Sequence, residues 1–279
     1  MNVKKFIKLL TPPVFIKLVR WFRSGGSVEW QYIPEGWAYA ETHPEVKGWN
    51  VPGVLEVYQR KWPRFVTMVQ GTGPLGLSHE SDLTSDTNIY HHNTIMTFAY
   101  ALALAAHRLD TLSMLDWGGG LGHYYLLAQS LLPDVRIDYY CKDVPLLAGY
   151  GGQLFPEQHF YIDESCLERK YDFVLASTSI HYTENWQSLL ADLAEATQGY
   201  LFITRLPIVL HAPSYVFVQR AYAYNTEYLG WCLNRDRFLS EAEKIGLELI
   251  REFVIAETPP ILYAPEQCQY RGFLFQPSD

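Results

Sequence analysis

Short apolar runs alternate with amphipathic segments along the C-terminal two-thirds of the chain. Five of these runs have the length and composition of buried strands: LSMLDW, RIDYYC, QHFYID, DFVLAS and GYLFITR. Helical spacing of apolar residues follows the first run and the fourth, whereas the two final runs, LELIREFVIAE and YRGFLFQ, have no helix between them. The pattern predicts an α/β fold with a seven-stranded, mostly parallel sheet, an antiparallel last strand and helices on both faces.

The segment before this alternation has a different pattern. Residues 51–70 have helical spacing that we expect to be split near Pro63, and residues 70–81 have the composition of a loop. From Asn88 a longer helical pattern leads directly to the first strand. We therefore predict that residues 25–110 form a mainly helical cap region.

The division of the chain follows from these patterns. Residues 111–279 are predicted to form the sheet domain. A long connection at about 206–233 interrupts this domain, and such insertions commonly shape a binding pocket. Residues 1–24 form a third part with a composition of their own.

This N-terminal segment carries six basic side chains and no acidic one. Thr11 and the two prolines after it are typical of a helix start, and the cations that follow lie on one side of the predicted helix. A basic amphipathic helix suits the anionic inner face of a membrane. The alternatives are that it docks on the body of its own protein or on a second subunit of a homodimer.

Composition excludes several classes of function. The net charge is −8 and the body of the chain has no basic stripe, so we expect no nucleic-acid partner. The four cysteines are scattered without a metal-ligand spacing, which predicts reduced thiols, a cytoplasmic protein and no metal. Aromatic residues make up 15% of the chain, which fits either a well-filled core or a surface on which sugar rings stack.

The glycine-rich stretch LDWGGGLGHYY, at 115–125, connects the first predicted strand to the first helix of the sheet domain. A dinucleotide-binding turn needs G-x-G-x-x-G, but the sixth position counted from Gly118 is His123. Bare backbone at this turn therefore predicts close approach to a ligand other than a dinucleotide.

Asp116-x-Gly118-x-Gly120-x-Gly122 resembles the glycine motif of class I S-adenosylmethionine-dependent methyltransferases, which have a Rossmann-like fold. The resemblance extends in order over about 112–275. It implies S-adenosylmethionine as cofactor and S-adenosylhomocysteine as product. The cofactor-binding residues that it implies are Asp116, Gly118, Gly119, Gly120, Gly122, Asp143, Asp163 and Ser177. Asp143 stands where the family places an acid on the ribose, and Asp163 where a polar residue faces adenine.

The chain as a whole also resembles a group of methyltransferases whose genes lie in bacterial surface-polysaccharide clusters, through IKLLTPP, QGTGPLG, DWGGGLGHYYLLA and YRGFLF. This resemblance implies O-methylation of a sugar hydroxyl in a polysaccharide or lipopolysaccharide precursor. Two alternatives stay open: a methyltransferase of a small metabolite or N-acceptor, and a catalytically silent assembly module with the same fold.

A hydroxyl acceptor calls for a general base, because an alcohol is a poor nucleophile at neutral pH. His181 is the first candidate, since it follows the fourth strand where small-molecule O-methyltransferases carry a catalytic histidine. The alternative is that it packs beside the cofactor. Glu227 is the second candidate. His92, Arg205 and Tyr224 are predicted to bind the acceptor, with a salt bridge as the alternative role of Arg205.

Overall fold

The computed structural model describes residues 29–76 and 88–278. The basic segment 1–24 lies outside the described residues. No helix in the described ranges is long and apolar enough to cross a membrane.

The described residues of the N-terminal part form the strand β1 (Trp30–Tyr32) and the α-helices α1 (Tyr39–Thr42), α2 (Pro52–Gln70) and α3 (Ile89–Ala105). The expected split of α2 at Pro63 is wrong, because the helix continues through the proline. One face of α2 is buried, and this packing offsets the hydrogen bond that the proline removes. The helix after Asn88 is confirmed, with the Asn88 side chain accepting the N–H groups of Tyr90 and His91.

The sheet domain follows in the predicted alternation. Its strands are β2 (Thr111–Trp117), β3 (Arg136–Lys142), β4 (His159–Tyr161), β5 (Tyr171–Ser177), β6 (Thr197–Val209), β7 (Tyr215–Ala221), β8 (Thr226–Asn234), β9 (Leu247–Val254) and β10 (Gln269–Pro277). Its helices are α4 (His123–Leu131), α5 (Pro145–Leu154), α6 (Trp186–Glu195) and α7 (Arg235–Lys244).

Seven of these strands form the sheet that the sequence predicts, in the order β4-β3-β2-β5-β6-β10-β9. β10 runs antiparallel to both of its neighbours, as expected for the last strand. The prediction of seven strands is nevertheless too low, because the described sheet has ten. The additional strands are β1, β7 and β8.

The connection predicted at 206–233 consists of the end of β6 and a β-hairpin formed by β7 and β8. β6 runs on past the point where β5 ends, and β8 then pairs with it at Ile208 and Val209. β7 pairs antiparallel with β8, and β1 adds to the outer edge of β7. The N-terminal region is therefore not only helical, since its first strand completes the sheet.

Apolar clusters cover both faces of the sheet, as predicted for helices on both sides. One contains Trp186, Phe238 and Phe273, and the other contains Phe98 and Phe173. The carboxyl edge of the parallel strands remains open to ligands between these layers, which is where open α/β sheets bind them.

Candidate functional site

The turn between β2 and α4 forms one wall of the site. Gly118, Gly120 and Gly122 all have positive φ angles, of 78°, 62° and 91°. A Cβ atom at Gly118 would lie 2.6 Å from the Cβ of Ser179, in the turn that follows β5. The two strand-end turns therefore approach one another only because residue 118 has no side chain.

Asp143 joins this turn to the next strand of the sheet. Its Oδ2 accepts the N–H of Gly120 at 2.7 Å, and its Oδ1 accepts the N–H of Val144 at 2.6 Å. The residue is only 9% exposed. These two bonds fix the carboxylate beside the glycine turn.

A first cavity of about 170 Å³ lies between these turns. Gly118 and Asp143 line it, together with the apolar Val144 and Leu147 and the hydroxyls of Ser177 and Thr178. Tyr58, from α2, covers the glycine turn. This lining suits a ligand with a hydroxyl-bearing part and a flat apolar part.

A second cavity of about 600 Å³ adjoins the first, because Trp49 and Tyr182 line both. Its other aromatic lining residues are Trp30, Tyr90, Tyr222, Tyr224, Tyr228 and Tyr270. Trp49 stacks on Tyr228 at a ring-centroid distance of 4.4 Å and meets Tyr182 edge-on at 5.2 Å. The second cavity is thus large enough for a small organic ligand and rich in rings that carry polar groups.

A buried arginine lies at the boundary of this second cavity. Arg205 Nη1 donates to Glu257 at 2.8 Å and lies 3.4 Å from Nδ1 of His91, while Nε donates to Thr178 at 3.1 Å. The guanidinium also lies over the ring of Tyr270. Both Arg205 and Thr178 have positive φ, of 52° and 54°. Backbone strain at two residues that are joined by a hydrogen bond is typical of functional sites.

Asp116 lies behind the glycine turn, not at the cavity surface. It is fully buried, and its Oδ2 accepts the hydroxyl of Tyr139 at 2.7 Å. Its Oδ1 has no hydrogen-bond partner within the described part of the chain. Burial, and to a smaller extent the charge of Asp143, raise the pKa of Asp116 to about 7, against the opposing effect of the Tyr139 bond.

The structure brings five of the predicted site residues to the two cavities. Gly118, Asp143 and Ser177 line the first, and Arg205 and Tyr224 line the second. Arg205 also forms the salt bridge that was its alternative role. The other glycines shape the turn from within: Gly119 lies over Asp116, Gly120 against Tyr58, and Gly122 against Phe155.

The two predicted bases lie elsewhere. His181 is fully buried, with its ring packed on Tyr182 at 4.0 Å and near Phe217, and it does not line the first cavity. Glu227 precedes Tyr228 on β8, so its side chain points to the opposite face of the strand. There it pairs with Arg220 at 3.4 Å. The structure therefore does not bring Glu227 to the cavities.

Two further predicted residues also point away from the cavities. Asp163 is exposed and caps a short helical turn through Ser165. His92 faces the segment Thr72–Pro74 on the other side of α3. Its neighbour His91 lines the second cavity instead, because consecutive helical residues point about 100° apart.

Several lining residues were missed by the sequence analysis. Trp49 lies in a segment without clear periodicity, and Glu257 lies in a connection between two strands. Tyr182 directly follows His181, the predicted base. The segment after β5 was therefore predicted to contribute to the site, but through a different residue. The described ranges contain no group of His, Cys, Asp or Glu side chains that could hold a metal ion.

Comparison with known proteins supports the fold. No family model matches the sequence, and no curated protein matches it either. The CcbJ methyltransferase from Streptomyces caelestis aligns with a TM-score of 0.51 at 12% identity, over 85% of this chain and 100% of that chain.

Two further solved structures align less closely. The 1,6-didemethyltoxoflavin-N1-methyltransferase of Burkholderia thailandensis, solved with 1,6-didemethyltoxoflavin and S-adenosylhomocysteine, has a TM-score of 0.45 at 15% identity, over 67% of this chain and 80% of that chain. An S-adenosylmethionine-dependent methyltransferase from Clostridium acetobutylicum has a TM-score of 0.45 at 9% identity, over 67% of this chain and 90% of that chain. At these identities the likeness concerns the fold alone.

Proposed function

We propose that this protein is an S-adenosylmethionine-dependent methyltransferase that methylates a hydroxyl of a saccharide, in the synthesis of a cell-surface glycan. One observation carries the methyl-transfer part: the glycine turn and Asp143 meet at the carboxyl edge of the sheet, beside a separate and larger cavity. The fold shared with the CcbJ methyltransferase supports the same assignment.

The first cavity fits the cofactor by the chemistry of its lining. Asp143 would accept the ribose hydroxyls, and Val144 and Leu147 offer an apolar wall to the base. Gly118 lets its turn approach Ser179 closely, and both residues line the first cavity. When bound, S-adenosylmethionine supplies a sulfonium-activated methyl group.

The protein's own contribution is alignment and exclusion of water. Trp49 and Tyr182 line both cavities, so they fix how an acceptor meets the donor. Holding two reactants in attack geometry can supply roughly 7–11 kcal/mol. Tyr58 and Trp49 cover the first cavity from the N-terminal region, which limits access of water to it.

The saccharide assignment is supported by the second cavity. Its rings offer flat faces for the C–H surfaces of a sugar, and its hydroxyl, carboxylate and imidazole groups offer partners for sugar hydroxyls. Its volume of about 600 Å³ suits one or two such rings. A small hydroxylated metabolite would fit the same description.

Calorimetry with S-adenosylhomocysteine tests the cofactor assignment. We expect saturable binding to the full chain, and an absence of heat at millimolar ligand would contradict the proposal and favour a silent assembly module. Transfer of a labelled methyl group to a panel of nucleotide sugars and glycan fragments then identifies the acceptor. Label that is found only on non-saccharide metabolites would overturn the saccharide part alone.

We further propose that the basic segment 1–24 holds the enzyme at an anionic membrane surface, where glycan precursors are assembled. Its six cations and lack of acids support this role. Flotation with anionic and with neutral liposomes tests it on the full chain and on a chain lacking residues 1–24. Equal recovery of both chains would exclude the proposal.

A further inference from the structure

Residues 45–50, EVKGWN, form a strap that leads from α1 towards α2. The strap belongs to no helix and to no strand of the sheet, and an isolated bridge joins its Val46 to Glu227 of β8. Half of its residues are exposed. Its Trp49 side chain nevertheless lines both cavities. One wall of each cavity is thus carried by an irregular and partly exposed segment of backbone.

Hydrogen bonds to the start of β8 attach the strap to the sheet. The N–H of Gly48 donates to the carbonyl of Glu227 at 3.1 Å, and the N–H of Glu227 donates to the carbonyl of Glu45 at 3.2 Å. The hydroxyl of Thr226 donates to the carbonyl of Gly48 at 2.9 Å. All three bonds involve the first two residues of β8, so breaking them would release the strap and leave the rest of the β7–β8 pairing intact.

Two side chains of the strap add to this attachment. The side chain of Asn50 accepts the N–H of Leu146, in the first turn of α5, at 3.3 Å. The ring of Trp49 packs on Tyr182 and Tyr228, but its Nε1 is buried and has no hydrogen-bond partner among the described residues. A buried N–H without a partner costs free energy, which exposure to water would recover. The strap is therefore held less firmly than the packing of its tryptophan alone would indicate.

The first cavity is small for the cofactor that we propose. Its volume of about 170 Å³ lies below the range of about 300–1,000 Å³ that is usual for the sites of small molecules and cofactors. The chemistry of the lining suits the ligand, but the space does not. Binding therefore requires one of the walls to move.

The walls that come from the sheet domain and from α2 are fixed. The turn at Gly118 is in close contact with Ser179, and Asp143 accepts two backbone N–H groups. Tyr58 and Leu147 are 4% and 2% exposed and belong to one apolar cluster. Of the segments that line the first cavity, the strap thus has the least fixed backbone, and its movement is the simplest way to enlarge the cavity.

We propose that the strap moves away from β8 to admit S-adenosylmethionine and then closes over it, which returns Trp49 to the walls of both cavities. This inference rests on the proposed function and adds a conformational step to it. The closed strap depends on glycine at position 48, where φ is 71° and a Cβ would meet nothing within 4 Å. A side chain there would fit sterically, but left-handed backbone is unfavourable for every residue that has a Cβ.

Hydrogen exchange of the full chain, measured by mass spectrometry with and without saturating S-adenosylhomocysteine, tests the proposal. We expect the bound ligand to slow exchange in peptides that cover the strap by about tenfold or more, because it holds the strap on β8. Peptides from α7, which lines neither cavity, should exchange at the same rate in both samples. Unchanged exchange of the strap in the presence of bound ligand would overturn the proposal.

A pair of glycine variants sharpens the test. Gly48→Ala disfavours the closed strap, so we expect S-adenosylhomocysteine to dissociate about fivefold faster than from wild type, as measured by surface plasmon resonance. Gly246→Ala is the matched control, because Gly246 also has a positive φ, of 81°, with nothing within 4 Å of a Cβ, and lies after α7. Its dissociation rate should stay within about twofold of wild type. Equal rates in the two variants would contradict the role of the strap.

Calorimetry on the same wild-type sample separates this inference from the proposed function. If S-adenosylhomocysteine does not bind, the proposed function fails, and the inference fails with it. If the ligand binds and exchange of the strap is unchanged, only the inference fails. The wild-type exchange decides the question if Gly48→Ala does not fold.

Discussion

The two cavities are built in different ways. The first is formed mainly by three short segments that follow β2, β3 and β5, each within a few residues of its strand end. The second draws its lining from β1, α3, β6, the β7–β8 hairpin and the connection before β10. One site is therefore encoded locally in the sheet domain, whereas the other exists only after distant parts of the chain have assembled.

This difference has a physical consequence for how each cavity responds to change. The first contains one acidic side chain, Asp143, beside the glycine turn, so a single substitution there removes a large share of the polar interactions with a ligand. Many rings line the second, where Trp49 packs on Tyr182, Tyr224 and Tyr228. We therefore expect single substitutions to weaken ligand binding strongly in the first cavity, on the donor side, and more moderately in the second, on the acceptor side.

The largest effect should come from Asp116, on the donor side. Its pKa of about 7, against an ordinary value of 3.8, means that the folded state binds a proton more tightly than the unfolded state. The stabilising contribution of the protonated form is complete below pH 3.8 and is lost as the pH rises to about 7. Asp116→Asn removes this dependence. We expect the free energy of unfolding of wild type, relative to the variant, to fall by about 4 kcal/mol between pH 4 and pH 8.

Denaturant unfolding of both proteins at several pH values measures this difference. Tyr139 and Cys141 lie beside Asp116, and burial keeps the pKa of each well above its ordinary value, so neither contributes a charge in this range. If the free energy of unfolding changed with pH in the same way in wild type and variant, Asp116 would be ionised throughout this range.

The second prediction compares Asp143 with Asp163, which the sequence placed together in the cofactor site. Asp143→Asn loses the charge-assisted hydrogen bond to at least one backbone N–H, which is worth roughly 1.5–3 kcal/mol. It also weakens the hydrogen bonds that we propose to the ribose hydroxyls. We expect S-adenosylhomocysteine affinity to fall about 100-fold. Asp163→Asn, at an exposed capping residue, should change it less than about threefold. Calorimetry measures the S-adenosylhomocysteine affinity of both variants. An equal loss of affinity in the two would place Asp163 in the cofactor site.

The third prediction concerns Trp49, which, like Tyr182, lines both cavities. Trp49→Ala removes part of the wall of the first cavity, and we expect S-adenosylhomocysteine affinity to fall about tenfold, a loss of about 1.4 kcal/mol. Trp37→Ala is the matched control, because Trp37 packs on Trp231 and belongs to a different apolar cluster. A control effect as large as that of Trp49 would mean that the loss is a general consequence of destabilisation.

The difference between a locally encoded first cavity and a second cavity assembled from distant segments also explains how much could be predicted from the sequence. The alternation of strands and helices and the glycine turn depend on local spacing, whereas Asp143 was implied by the family resemblance; the structure has the alternation and the turn, and it places Asp143 beside that turn. The strands of the insertion at 206–233 were not predicted, because Tyr215–Ala221 and Thr226–Asn234 join the sheet through pairing with β1 and β6, which are distant in the sequence. His181 and Glu227 have suitable chemistry, but one is packed in the core and the other faces the wrong side of its strand.

The smallest effect should separate His91 from His92, adjacent residues on the first turn of α3. His91 is buried beside Arg205, so His91→Ala should cost about 1 kcal/mol of unfolding free energy through the lost hydrogen bond. Nδ1 of His92 is buried without a hydrogen-bond partner among the residues described, so its removal relieves an unsatisfied group. His92→Ala should therefore leave stability unchanged or raise it slightly.

Denaturant unfolding measures both variants, and the gain in helix propensity from histidine to alanine is the same in each. S-adenosylhomocysteine affinity should stay within about twofold of wild type for both, since neither lines the first cavity. Methyl transfer to the saccharide acceptor should fall only in His91→Ala. If His92→Ala lost methyl transfer instead, the helix would present its other face to the acceptor, and the second cavity would have to be reassigned.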